Sequence, residues 1–591
     1  MADRKYTRGS WTLADLIAAD KGPEMDSAIS RVEEAVAVLE ERRGELDATI
    51  PEGAFTEILG LVDHANYAIQ RIHGYAILRA VEDANDQDVL ALQGRVHGVV
   101  AEARSRIAFF DLWWQGLDAD NVARLLAAAG GLAFHLEDLR AFTPFQLSEG
   151  EERVVRVKDV NGFDALNVLY AMITESLAYP VEIDCESKDL SRSEVRSYMR
   201  DPSPEKREEA CRVFLGAHEA RAGELAQIYK HIAADWHAEN VGLRGMPSSI
   251  SARNVRNSVP DEAVELLLEA CRRNAVLYQR FFRLKARILG LPKLRRSDLY
   301  APLADAEAEY GFDEGVKIVL ECFRGFAPQF AELAERVISE KHLDSLPRHG
   351  RYSSAACAPI LPDRTPWVLV NYEGKARDVS TLAHELAHAV HSMLSAEHSV
   401  LTFDSSLPLA ETASAFAEML VLETMLEKSS APAERQALLA AYIDDSYMTI
   451  PRQAFFTLFE QDAHRMIADG EGTLDQLNAA YLANLREQFG DSLSDIEPFR
   501  LEWLSISQLY NSPFYCYAHA FGLLLVLSLF QRYKIEGDAF VPKYLRILAY
   551  GGSKSTEDIL AEACFDILAP EFWQRGFDVL AGMVDELEGL C

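Results

Sequence analysis

Residues 381–391 read Thr-Leu-Ala-His-Glu-Leu-Ala-His-Ala-Val-His, and neither Pro nor Gly interrupts them. Small and apolar residues fill most positions between the His and Glu, so the stretch reads as a helix. Four residues advance a helix by about 400°, which leaves His384 and His388 only ~40° apart on one face. One cation can touch both imidazoles. Glu385 follows the first of them and projects beside the cation, placed to take a proton from water there. His-Glu-x-x-His on a helix is the zinc-peptidase arrangement. Asp378 or Ser380 can cap the helix start. Trp367 to Tyr372 is short and β-rich and reads as a strand feeding the helix. Such a strand can hold an extended peptide by added ladder bonds.

Catalytic zinc usually has three protein ligands and one open position, so a third donor is needed. His391 lies seven residues after His384, about 10 Å along the axis, too far to share an ion with it. No Gly lies between Leu386 and Ala410, so the helix cannot be broken to bring a later His back. Carboxylates remain. Residues 405–424 form a second helical pattern with Ser406 as cap and Pro408 in its first turn. Glu411, early on this helix, is the expected third ligand. Glu418 or Ser414 is expected to hydrogen-bond the ligands; for Glu418 the plainer role is a solvated helix face.

The run Asp378-Val-Ser-Thr-Leu-Ala-His-Glu-Leu-Ala-His-Ala-Val-His391, followed by Ala410-Glu-Thr-Ala-Ser414, resembles peptidase family M3. Its oligoendopeptidase F branch is the nearest likeness, and the thimet oligopeptidase-like enzymes a more distant one. The similarity covers most of the chain. Tyr198-Met-Arg-Asp-Pro and Asp298-Leu-Tyr-Ala-Pro-Leu303 resemble the start of that family's catalytic domain, and Leu136 to Arg140 and Leu147 to Glu152 its N-terminal domain. The resemblance implies one Zn2+ per chain on His384, His388 and Glu411, with Glu385 as general base. It also implies two helical lobes around a deep channel that admits short unstructured peptides, with a small β-sheet next to the motif helix.

Residues 508–519 read Gln-Leu-Tyr-Asn-Ser-Pro-Phe-Tyr-Cys-Tyr-Ala-His. Tyr510, Phe514 and Tyr517 fall at i, i+4 and i+7, which predicts one helical stripe. A core stripe is the plainer reading. The resemblance implies that this segment closes over substrate and that a phenol, from Tyr517 or Tyr510, donates to the developing oxyanion, with Tyr515 beside the substrate. Relatives carry His where this chain has Gln508. An amide donates a hydrogen bond but carries no charge, so either another group such as His519 or His391 takes the helper role at the substrate or substrate preference and rate differ from the family norm. The segment His349 to Cys357 also departs from the family's commoner Lys-rich, Gly-Ala form.

At 591 residues the chain exceeds one ordinary core, and lobes are expected. Helical periodicity runs from Ile29 to Gly44, Ala263 to Leu289, Val316 to Lys341 and Ala431 to Asp469, so the class is mainly α. Asp201-Pro-Ser-Pro204 begins a new helix, which suggests an N-terminal lobe at 1–195 (family-like around 115–185) and a catalytic lobe at 196–591. The net charge of −33, from 92 acidic and 59 basic residues, excludes nucleic-acid and anionic-membrane partners. The first residues lack the apolar core of a signal peptide, and Phe521 to Phe530 is too short to cross a bilayer. Eight scattered Cys without a Cys-x-x-Cys pair read as reduced thiols of a cytoplasmic enzyme. The expected activity is zinc-dependent cleavage of internal bonds in oligopeptides. Trimming of C-termini would need a cationic anchor for the terminal carboxylate, and a silent peptide-binding relative is the third reading. Manganese or cobalt also suits the donor set. Monomer and homodimer both remain open.

Overall fold

The computed structural model describes residues 4–83, 85–183, 186–303, 309–348, 351–352 and 354–591. His349, Gly350 and Ser353 of the divergent 349–357 segment, and Cys185, lie outside the described residues. The periodic runs are helical, but three of the four are helix pairs. The first run belongs to α1 (Pro23–Glu41), opened by Pro23 with Glu24 and Asp26 in its first turn. Residues 263–289 divide at Asn274 into Asp261–Arg273 and Ala275–Ile288. Residues 316–341 divide into Phe312–Phe326 and Pro328–Ser339, and residues 431–469 into Pro432–Thr449 and Pro451–Ala468. Pro lacks an N–H and drives the residue before it out of the helical region. Ala327, at φ −153° and ψ 125°, shows the effect. Periodicity sees the shared face and misses the break.

The chain forms two compact units, each assembled from separated segments. One is Met1–Thr143, Glu307–Glu427 and Arg532–Phe565; the other is Pro144–Ala306, Lys428–Gln531 and Asp566–Cys591. The linear reading drew one division at residue 195, where neither unit has a border. The reason lies in the first unit's core. Helices α1, α2 (Glu52–Glu82) and α3 (Gln87–Ile107) bury Val36, Phe55, Ile72 and Val96 in one apolar cluster with Ile360, Trp367 and Leu369. The Trp367 indole donates to the Thr12 carbonyl at 2.7 Å. Gly74 has no room for a Cβ, which would sit 2.3 Å from the Ile360 side chain. The N-terminal bundle is therefore completed by residues far along the chain, 355 positions later in the case of Thr12 and Trp367.

Within this unit β1 (Leu343–Asp344), β2 (Ala356–Ala358) and β3 (Trp367–Leu369) form a sheet in the order β1-β3-β2. β3 pairs parallel with β1 and antiparallel with β2. This corrects the expectation that a peptide is held along 367–372. β3 is central and fully buried, with its ladder groups taken on both sides. β1 and β2 are the two edges, and β2 is the one that lines the cleft described below. The motif helix α4 (Ala376–Leu394) follows, then α5 (Leu407–Ala410) and α6 (Thr412–Lys428). The single helix expected over 405–424 is interrupted at Glu411.

The second unit has an aromatic core in which Tyr229 meets Trp503, and Phe459 meets both Tyr481 and Trp503. Arg296 and Arg452 converge there on Glu502, whose carboxylate also accepts from the Tyr481 hydroxyl. The expected stripe at Tyr510, Phe514 and Tyr517 does not form. The chain leaves α7 (Gln508–Asn511), turns, and enters α8 at Tyr517 (Tyr517–Glu536). Phe514 takes a left-handed φ of 58°, and its N–H donates to the buried Glu460 carboxylate at 2.8 Å. Among the described residues no helix is long and apolar enough to cross a membrane.

Candidate metal centre

α4 is amphipathic in a way that fixes its rotation. Val379, Leu382, Ala383, Leu386, Ala387, Ala389 and Val390 are fully buried, so the remaining stripe, carrying His384 and His388, must face the cleft. Asp378, in the first turn, accepts from the backbone N–H groups of Glu373 and Gly374 at 2.8 Å and of Lys375 at 3.0 Å. Of the two capping candidates Asp378 therefore holds the start, while Ser380 lies inside the helix. A carboxylate at this end also suits the helix dipole.

His384 Nε2 and His388 Nε2 are 3.2 Å apart. Glu411 Oε2 lies 3.3 Å from the first and 3.4 Å from the second. Glu411 reaches them from the interruption between α5 and α6, where its backbone leaves the helix. Among the described residues these three form the group able to hold a metal ion. Their spacing tests the fit. Donors about 2.0–2.1 Å from a tetrahedral zinc are separated by roughly 3.3–3.4 Å. The three observed distances match, and two imidazoles with one carboxylate are a donor set of catalytic zinc.

The surrounding groups hold these donors in place. His384 Nδ1 faces Glu418 Oε1 at 3.1 Å. The Ser414 hydroxyl donates to Glu411 Oε2 at 2.8 Å and to the Glu411 carbonyl at 3.1 Å. His391 is buried and hydrogen-bonds the Ala410 carbonyl, tying α4 to the residue before Glu411. Burial pushes the His391 imidazole down to about 4, so it is neutral and acts as the donor in that bond. Burial also opposes charge on His384, but hydrogen bonds to Glu411 and Glu418 outweigh it and lift the imidazole to about 10. The same contacts, with His388, hold Glu411 far below the usual carboxylate range although burial alone would raise it. The cluster therefore attracts positive charge strongly. Glu385 is 7% exposed, and burial raises its proton affinity, partly offset by His384 and His388.

These residues line a cleft of about 640 Å³, floored by α4 and walled by Ala355 to Pro359 around β2 and by Phe403 to Ser405. The structure thus brings His384, Glu385, His388, Glu411, Ser414, Glu418 and His391 together. Asp404 was not singled out from sequence, and the β2 wall was noted only as part of the divergent 349–357 segment, not as a strand. β2 is three residues of Ala and Cys, without the alternation that marks a strand, and Asp404 is one acidic loop residue among many.

The residues expected from 508–519 belong to the second unit. Tyr517 is fully buried, and its hydroxyl accepts from Asn257 Nδ2 at 2.8 Å. Tyr510 stacks on Tyr170 at 3.9 Å, meets Tyr229 edge-on, and its hydroxyl has no hydrogen-bond partner among the described residues. Tyr515 is half-buried against the exposed His519, their rings 5.2 Å apart, and Gln508 is exposed.

The profile of peptidase family M3 matches residues 197–579. An oligoendopeptidase F homolog of Lactococcus lactis is 24% identical, over 98% of this chain and 97% of its own length. The Bacillus subtilis oligopeptidase PepF is 23% identical, over 98% of this chain and 87% of its own. The fold is shared with a Chlamydophila abortus protein solved as a peptidase, at a TM-score of 0.89 and 22% identity over 98% of both chains. It is shared also with oligoendopeptidase-F from Enterococcus faecium, at 0.71 and 19% identity over 96% of this chain and 98% of that one. Motif, donor geometry, profile and fold agree: the chain belongs to peptidase family M3.

Proposed function

We propose that this chain is a zinc-dependent endopeptidase that hydrolyses internal bonds of short, unstructured oligopeptides. The observation that carries the reading is the triangle of His384, His388 and Glu411 beside the buried Glu385. When bound by those three residues, zinc would polarise the scissile carbonyl and acidify water. Glu385 takes the proton of the attacking water and delivers it to the leaving nitrogen, a task suited to a carboxylate whose proton affinity is raised by burial. Glu418 accepts the Nδ1 proton of His384 and so leaves the Nε2 lone pair facing the other donors. Ser414 and His391 fix the Glu411 side chain and the backbone before it. The substrate backbone extends along the β2 edge, the edge of the sheet that lines the cleft.

Tyr517 is the proposed oxyanion donor. Its oxygen accepts from Asn257 and its own proton is not committed by that bond, but the hydroxyl is buried and must be uncovered to meet a substrate. Tyr510, packed among Tyr170 and Tyr229, supports the turn that carries it. Tyr515, Gln508 and His519 are assigned to substrate contacts. The seven described cysteines are free thiols, in keeping with a cytoplasmic enzyme. Among the described residues lining the cleft there is no Lys or Arg to anchor a terminal carboxylate, which favours the endopeptidase over the C-terminal trimming mode.

The test uses internally quenched peptides blocked at both ends, with metal analysis of the purified protein. Cleavage lost on chelation and restored by one equivalent of zinc is expected. Cleavage of free-ended peptides alone would reject the endopeptidase assignment, and activity indifferent to chelation would reject the metal.

A further inference from the structure

Asp404 lies on the wall of the catalytic cleft, in the segment between α4 and α5, and the mechanism above does not use it. Three observations set it apart. Its side chain is exposed to the cleft and has no hydrogen-bond or ion-pair partner among the described residues. No described Lys or Arg lines the same cleft, whose other acids, Glu385 and Glu411, are committed to catalysis and to the metal. Finally, the backbone that carries it is clamped. Ser395 Oγ donates to the Phe403 carbonyl and the Gly552 N–H to the Thr402 carbonyl, each at 2.8 Å. A Cβ on Gly551 would lie 2.5 Å from the Phe403 carbonyl oxygen, and one on Gly552 would lie 2.3 Å from that of Asp404. Both glycines are therefore required for this approach, and Ser406 is pinned to Thr556 at 2.9 Å.

A carboxylate carried on a backbone fixed in this way, in a cleft able to receive peptide, is placed to recognise something. An uncompensated carboxylate recognises a cation. We infer that Asp404 selects substrates by pairing with a cationic group of the bound peptide, carried by a Lys or Arg side chain near the scissile bond or by a free α-ammonium. The inference rests on the endopeptidase reading above. Its environment agrees with it: although Asp404 stays open to the cleft, partial desolvation by the cleft walls pushes it up to about 6, and a bound cation would relieve that cost.

Matched quenched peptides blocked at both ends carry lysine or uncharged norleucine at each position within three residues of the cleaved bond. A further pair differs only in a free or acetylated α-amine. The wild-type enzyme is expected to show kcat/KM about ten-fold higher for the cationic member of one pair, the size of a single partly screened charge pair. In Asp404→Asn that ratio falls to near one, Asp404→Glu restores it, and Asp404→Lys shifts preference to glutamate at the same position. Which pair responds identifies the source of the cation. Dissociation constants for the same peptides on Glu385→Gln should show the same ratio without turnover. A wild-type ratio near one in every pair, or one that survives in Asp404→Asn, overturns the assignment. Failure of zinc-loaded wild type to cleave any peptide removes the endopeptidase reading, and this inference with it.

Discussion

Two clusters of ionisable side chains lie in the two units, and they handle charge in opposite ways. In the second unit Arg296 and Arg452 close on Glu502, with the Tyr481 hydroxyl filling a remaining acceptor position. That group supplies its own counter-charges and is sealed in the core. In the first unit two imidazoles and the carboxylates of Glu411 and Glu418 meet at a cleft with no Lys or Arg among its described lining residues. They need a cation from outside. Charged residues crowded in a sequence are therefore a poor guide to a site. What marks one is a cluster whose charges fail to balance among themselves where solvent can deliver the missing partner.

The sharpest way to break this contrast is Glu385→Gln. It keeps the donor triangle and removes the proton acceptor, so kcat should fall by about 10²–10⁴-fold with zinc content by elemental analysis unchanged; equal turnover would place the chemistry elsewhere. Next is Glu502→Leu, which strands two buried guanidiniums. A loss of about 3–5 kcal/mol is expected, read from urea unfolding, and a near-neutral result would show that the arginines find other partners. The corresponding change at the cleft, Glu418→Gln, should barely move the unfolding midpoint. It should instead weaken zinc binding about 10–100-fold, measured by competition with a coloured chelator; unchanged affinity would return Glu418 to a solvated helix face.

The smallest expected effect concerns pH. Burial lowers His464 to about 3 from an ordinary 6.5, and both of its ring nitrogens lack partners among the described residues. Between those values the unfolded chain holds a proton that the folded chain refuses, so stability falls as pH drops below 6.5. The loss is about 1.4 kcal/mol per unit. His464→Leu should therefore lose about 1.4 kcal/mol less than wild type between pH 7 and 5.5, from urea midpoints. Parallel losses would show that His464 is not the source.

What could be read in advance follows contact range. His384, Glu385 and His388 are fixed by helical register, which four consecutive residues encode. Glu411 was legible because His391 was excluded by helix rise, although the break that aims Glu411 at the imidazoles was not foreseen. Tyr510 and Tyr517 show the opposite case. Their spacing matched a helix, yet Pro513 and the left-handed Phe514, held by Glu460 from 54 residues earlier, turn the chain between them. The expectation of a substrate rail along 367–372 failed for a similar reason. β3 has the apolar residues a strand predictor rewards because it is central, and a central strand has no free ladder groups.

The amino-acid order alone settled the helical class and the pairing of two imidazoles with Glu385 between them, because a helix repeats every few residues and its faces are written locally. Only the folded chain decided which strand borders the cleft, how Glu411 meets the imidazoles and that residues 1–143 form one unit with 307–427. Those outcomes depend on apolar surfaces and hydrogen-bonding edges separated by hundreds of residues, and no local pattern records which of them will meet.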